Sequence, residues 1–72
     1  MRYTLDVIVE EVVSQLRHDG WMLNELAINS HWEVKGKKDA FVIEAVGVSR
    51  YSSLDRCYST GRVIADVLGT MK

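Results

Sequence analysis

Ser30 and His31 are the two neighbouring side chains in this chain that best suit catalysis. An imidazole has an ordinary pKa of about 6.5, so His31 suits a general acid or base near neutral pH. The Ser30 hydroxyl is able to orient that ring or bind a phosphate oxygen. Because no second catalytic residue is indicated nearby, a surface histidine at the start of a strand is the favoured interpretation.

The sequence offers little for binding a metal or cofactor. His18 and His31 lie too far apart for the i, i+4 spacing of two ligands on one helical face. The single cysteine, Cys57, makes neither an intramolecular disulfide nor a zinc framework, and is most simply a small core residue. We therefore expect no metal site and no cofactor.

Basic and aromatic residues are the candidates for contacting a partner or a phosphate. They are Trp32, Lys35, Lys37, Lys38, Arg50 and Tyr51. The three lysines are assigned to a hairpin tip, where charge is commonly solvated and discourages edge pairing. Trp21 and Trp32 are either interface anchors or cover for a small core. The core is favoured for Trp21, and both alternatives stay open for Trp32.

Composition indicates one ordinary globular domain, residues 1–72. Hydrophobic residues make up 47% and charged residues 26%, which excludes disordered and fibrous classes. No run approaches the roughly 20 apolar residues of a membrane span, and no leader pattern is evident. These features favour a cytosolic protein without a membrane role.

The charge is small overall and unevenly distributed. The net charge is −1, with two basic and five acidic side chains in residues 1–30, but six basic and four acidic in residues 31–62. A strong phosphate binder is usually basic overall, because each phosphate contact needs a neutralising cation. Nucleic-acid binding is therefore not the favoured function.

Two amphipathic segments predict helices at the ends of the chain. Apolar residues at helical spacing from Leu5 to Leu16 predict a helix over residues 5–19, with Thr4 as its cap and Gly20 as its end. A second stripe runs from Leu54 to Met71 and follows Ser52 and Ser53, which suit a helix cap. Gly61 on that stripe would let the helix lie close to its neighbours.

Three strands are predicted between the helices. Residues 21–28 form the first, and "SHWEV" and "DAFVIEAVGV" flank a predicted turn, "KGKK", in which Gly36 would permit positive φ. The expected fold is α+β, a two-layer α-β-β-β-α domain with two helices on one face of a three-stranded antiparallel sheet. The uncovered face is expected to meet a partner, such as a second copy.

Residues 12–34 resemble part of the small HicA-type toxins. The resemblance lies in a first helix ending in "LRHDGW", a strand, and "SH" at the start of the next strand. It implies a double-stranded-RNA-binding-domain-like fold and RNA cleavage by His31 acting on the 2′-hydroxyl or the leaving oxygen. Residues 35–38 and Arg50 would then hold phosphates. Asn29 stands where that family has a glycine.

Two classes of function follow. The favoured hypothesis is a non-catalytic module that binds a protein partner or its own copy through the open sheet face and the hairpin. Compact, acidic single domains of this kind occur among phage-borne inhibitors of host machinery. The alternative is a HicA-like ribonuclease toxin that uses His31, and a lesser one is RNA binding without cleavage.

Overall fold

The computed structural model describes residues 5–70 as two helices and one sheet. The elements are α1 (Leu5–His18), β1 (Met22–Ile28), β2 (His31–Lys38), β3 (Phe41–Gly47) and α2 (Arg50–Thr70). The strands are antiparallel and ordered β1-β2-β3. This confirms the predicted α+β fold with α-β-β-β-α order. Thr4 and Met71, the predicted cap and the last residue of the second stripe, lie outside the described residues.

The apolar stripe of α1 faces the core as predicted. Val9, Val13 and Leu16 are buried. Gly20, with φ of 99°, ends the helix in the left-handed conformation that glycine adopts at little cost. The Trp21 N–H then donates to the Leu16 carbonyl at 3.0 Å, which places the Trp21 side chain in the core at the start of the sheet.

The prediction that residues 35–38 form a turn is wrong. These residues belong to β2, and the chain turns at Asp39 and Ala40, where Asp39 has a φ of 53°. Gly36 is a buried strand residue rather than a turn residue. A Cβ atom there would lie 3.1 Å from the Cys57 Sγ atom. The glycine is therefore explained by the close approach of α2 to the sheet.

The predicted start of α2 is also wrong, since the helix begins three residues before Ser53. Ser49 is its cap: the Ser52 N–H donates to the Ser49 hydroxyl, and the Ser49 N–H donates to the Ser52 hydroxyl, both at 3.1 Å. This reciprocal arrangement satisfies donors that a helix start leaves free. Ser53 instead lies buried and donates to the Trp32 and Ser49 carbonyls.

The core lies between α2 and the sheet. Leu54 and Cys57 on α2 are fully buried against β2 and β3, where Val34 is also fully buried. A Cβ atom on Gly61 would lie 3.3 Å from the Trp21 indole nitrogen, so this glycine does permit the predicted close approach. Helix α1 packs mainly against α2. In residues 5–70, neither helix has the length and apolar content to cross a membrane.

Candidate functional site: the open face of the sheet

The side of the sheet opposite the helices forms a continuous exposed surface, which we call the open face. Strand alternation assigns to it Met22, Asn24, Leu26, Ile28, His31, Glu33, Lys35, Lys37, Val42, Glu44 and Val46. Residues between them, such as Val34 and Ile43, point to the helices and are buried. The described residues provide no second layer over the open face.

Apart from Asn24 and Glu44, the outer strands of the open face carry apolar side chains, and the central strand carries charged side chains and His31. The strand register aligns three rows across the sheet: Met22, Lys37 and Val42; Asn24, Lys35 and Glu44; Leu26, Glu33 and Val46. The five apolar side chains of β1 and β3 on this face are between 41% and 76% exposed. The surface therefore combines exposed apolar area with fixed charges at its centre.

The charges of the open face balance. It carries two lysines and two glutamates, with His31 at its end. The Lys35 ammonium lies 3.5 Å from the Glu44 carboxylate, and both side chains are mostly exposed, so this pair contributes little to stability. Glu33 and Lys37 make no ion pair or side-chain hydrogen bond with the described residues. These two charges are available to a partner.

His31 lies at the beginning of β2, where β1 and β2 join through Asn29 and Ser30. Asn29 has a φ of 53°, a conformation that asparagine tolerates better than most residues. The imidazole is exposed beside Ile28, and no described residue forms an ion pair or hydrogen bond with it. The structure thus leaves His31 reachable, without a group that would orient it as an acid or base.

The sequence-predicted binding residues lie on both sides of the sheet. Lys35 and Lys37 are on the open face. Lys38 is on the helix-facing side, with its ammonium 5.9 Å from the centre of the Trp21 ring. Trp32 and Tyr51 are also on that side and pack against the core. The structure therefore does not bring the candidate residues together into one surface.

Arg50, the remaining candidate, is held by two carboxylates on the helix-facing side. Its Nε and Nη2 atoms donate to Glu25 at 2.6 and 3.0 Å, and its Nη1 atom lies 3.4 Å from Glu10. The Trp32 indole also donates to Glu25 at 3.0 Å. This cluster links both helices to β1 and β2. Arg50 is therefore engaged within the fold, where the resemblance had implied a phosphate contact.

The cluster stabilises the ionised form of Glu25. The hydrogen bond from Arg50 is the main cause that lowers the Glu25 pKa, and burial opposes it. Its hydrogen bond to Glu25 likewise raises the Arg50 pKa. Sequence reasoning missed Glu25 as a structural residue. Strand alternation offered a signal for this role, because it places Glu25 between Leu23 and Ala27 on the side of β1 that faces the helices.

The cavity beside α2 and the Cys57 thiol are weaker candidate sites than the open face. A cavity of about 210 Å³ lies between α2 and the β2–β3 turn and is lined partly by Trp21, Phe41 and Leu68. That volume is below the roughly 300 Å³ of the smallest typical ligand pockets. Burial raises the pKa of the Cys57 thiol, which disfavours the reactive thiolate. Residues 5–70 contain no cluster of three or more metal-ligating side chains.

The chain matches no protein-family model, and neither the curated proteins nor the solved structures include a significant match. The fold and surface define it as a small α+β domain with one open sheet face. The resemblance to HicA-type toxins stays a prediction from residues 12–34.

Proposed function

We propose that this protein is a non-catalytic interaction module of the cytosol whose open face binds a protein. The observation that carries the proposal is the exposure of five apolar side chains on one face of a 72-residue domain. Exposed apolar side chains gathered on one surface are typical of interaction sites. Inhibition of a host protein is one role that such a surface would serve.

The charge on the open face favours a protein over a nucleic acid. Two lysines are offset by two glutamates, so a phosphate backbone would meet repulsion as well as attraction. A protein partner is able to place an acid opposite Lys37 and a base opposite Glu33. Charges arranged in this way give specificity and orientation to an interface, while apolar contacts at Leu26 and Val46 supply buried area.

Capture experiments test the proposal with a matched pair of variants. The wild-type chain, Val46→Lys and Val63→Lys are immobilised separately and exposed to extract of the source cells. Val46 lies on the open face and Val63 on the exposed side of α2, with 48% and 60% of their surface accessible. We expect a protein that binds stoichiometrically to wild type and Val63→Lys, and is lost from Val46→Lys.

Circular dichroism of both variants checks that the fold is kept. Mass spectrometry then identifies each captured protein, including additional copies of the bait chain itself. If Val46→Lys and wild type retain the same proteins in the same amounts, the open face is not the binding surface. The proposal would then be wrong whatever partner was captured.

RNA cleavage by His31 is the second candidate, and one observation favours it. The imidazole is exposed at the β1–β2 turn next to Ser30, where a substrate would reach it without displacing any part of the described fold. Its role would be proton transfer to or from the 2′-hydroxyl or the leaving oxygen. Replacement of His31 alone distinguishes this candidate from the interaction module.

A further inference from the structure

We infer that the occupant of the open face is a second copy of this chain, bound face to face with the two β2 strands antiparallel. The inference rests on the proposed function, because it names the partner of the same surface. It starts from the order of charges along β2, in which Glu33 is followed on the same face by Lys35 and Lys37. Two antiparallel copies of that order place Glu33 and Lys37 of one copy over Lys37 and Glu33 of the other.

The two copies are related by a two-fold axis that lies between their sheets. This axis runs perpendicular to the strands and passes over the row that contains Lys35. This rotation exchanges the rows on either side of Lys35. Lys37 then lies over Glu33 of the second copy, and Glu33 over Lys37 of that copy. The same operation places Met22 over Leu26 and Val42 over Val46. Apolar side chains thus meet apolar side chains, while both charges left without a partner become paired. On the axis itself Lys35 and Glu44 lie over their own copies, and their ion pair within each chain leaves that row neutral.

The other face-to-face orientation is disfavoured by the same residues. If the two-fold axis ran along β2, the strands would be parallel and each β2 position would lie over itself. Glu33 would then face Glu33, and Lys37 would face Lys37. Like charges brought together at an interface oppose association. Along β2 the parallel orientation gives three like-charged pairs and no opposite pair, whereas the antiparallel orientation gives one like-charged pair, at Lys35, and two opposite pairs. The charge pattern of β2 therefore favours the antiparallel orientation.

The size of the face indicates a dimer that dissociates on dilution. Three strands about 4.8 Å apart and about 23 Å long, with their side chains, present on the order of 500 Å² per copy. The total of about 1,000 Å² is at the lower end for a specific complex. We therefore expect dissociation at concentrations on the order of micromolar.

Charge-reversal variants test both the partner and the orientation. The mass of wild type, Glu33→Lys and Lys37→Glu is measured by sedimentation equilibrium over a range of concentrations. Wild type is expected to rise from 8.2 kDa to twice that mass as concentration increases. Each single variant is expected to dimerise about 10- to 100-fold more weakly, because like charges meet at both contacts. Asp55→Lys, an exposed reversal on α2, is expected to match wild type.

The decisive sample is an equimolar mixture of Glu33→Lys and Lys37→Glu. In a heterodimer of these variants every contact between positions 33 and 37 again joins opposite charges. The mixture is therefore expected to dimerise where each component alone does not. The double variant Glu33→Lys/Lys37→Glu is expected to recover the homodimer, which also shows that neither substitution prevents folding.

Three results would overturn the inference. Wild type that stays at 8.2 kDa throughout would show that a second copy does not occupy the open face. The proposed function would still stand if Val46→Lys loses a captured protein that wild type retains. A dimer that tolerates both single reversals uses another surface of the chain. Single variants that dissociate but do not recover in the mixture would show that positions 33 and 37 do not face each other.

Discussion

The two sides of the sheet carry residues of similar type in different environments. On the helix-facing side, Val34 and Ile43 are at most 4% exposed, because α2 covers them. On the open face, Leu26 and Val46 are about half exposed although they lie on the same strands or the strands beside them. Strand alternation thus supplies apolar side chains to both sides, while the described chain buries only one.

The glutamates of the two sides show the same difference. Glu25 accepts hydrogen bonds from Arg50 and from the Trp32 indole. Glu33, one strand away and on the other side, has no ion pair or side-chain hydrogen bond with the described residues. A carboxylate satisfied within the fold contributes to stability, whereas a carboxylate left without an internal partner is free to contribute to binding.

Leucine truncation gives the largest expected difference between the two sides. Leu54→Ala removes a fully buried side chain, and we expect the free energy of unfolding to fall by about 2–5 kcal/mol, from lost transfer energy and a residual cavity. Leu26→Ala removes an exposed side chain and is expected to stay within about 0.5 kcal/mol in the monomer. Urea unfolding, followed by tryptophan fluorescence, measures both.

The expected difference between the two sides of the sheet is contradicted if Leu26→Ala is as destabilising as Leu54→Ala. Such a result, obtained at concentrations where the chain is monomeric, would mean that Leu26 is buried within one molecule. If the difference in unfolding free energy between wild type and Leu26→Ala instead grows with protein concentration, Leu26 is buried between two copies of the chain.

Carboxylate substitution gives an intermediate difference that depends on pH. Glu25→Gln removes the negative charge that Arg50 binds, so we expect a loss of about 1–2 kcal/mol at pH 7. Glu33→Gln is expected to change the unfolding free energy by less than about 0.5 kcal/mol. Chemical denaturation of both variants and wild type at pH 7 measures the two losses.

The acid side of the stability curve tests the lowered pKa of Glu25. Because its folded-state pKa is depressed, the unfolded chain binds the proton more readily, and this contribution is present above about pH 4.5 and lost as the pH falls below it. Wild type should therefore lose stability below that pH more steeply than Glu25→Gln. Equal slopes for the two proteins would contradict the assignment of the ion pair.

Regular patterns in the sequence predicted the helices and strands. Contacts between residues that are far apart in the chain explain where the prediction failed. The apolar stripe of α1 and the strand alternation around Ile43 were sufficient for the α-β-β-β-α order. Gly36 was assigned to a turn because glycine is common in turns, but its role depends on Cys57, 21 positions away. A contact between distant positions is not visible in a local pattern.

The sequence predicted where the candidate site lies in the fold, but not which residues form it. The uncovered sheet face followed from having two helices and one sheet. The side of the sheet on which each residue lies depends on the position of the turn. The predicted turn put all three lysines at the hairpin tip, whereas the actual turn at Asp39 and Ala40 leaves them in β2. The ion pair that holds Arg50 within the fold is not visible in a local pattern, because its partner Glu25 lies 25 positions earlier in the chain.

Replacement of His31 is expected to have the smallest effect on the fold and separates the two candidate functions. His31→Ala removes an exposed side chain at a hairpin turn and should change the unfolding free energy by less than about 0.5 kcal/mol. An interaction module should also keep its capture pattern, because His31 lies at the end of the open face.

If instead the wild-type chain cleaves RNA and His31→Ala is about 10²- to 10⁴-fold slower, proton transfer by this histidine is the function. His18→Ala, which removes the other histidine from the exposed end of α1, is the matched control: a catalytic His31 predicts that His18→Ala cleaves RNA at the wild-type rate, whereas equal losses for the two variants would show that His31 is not specifically required.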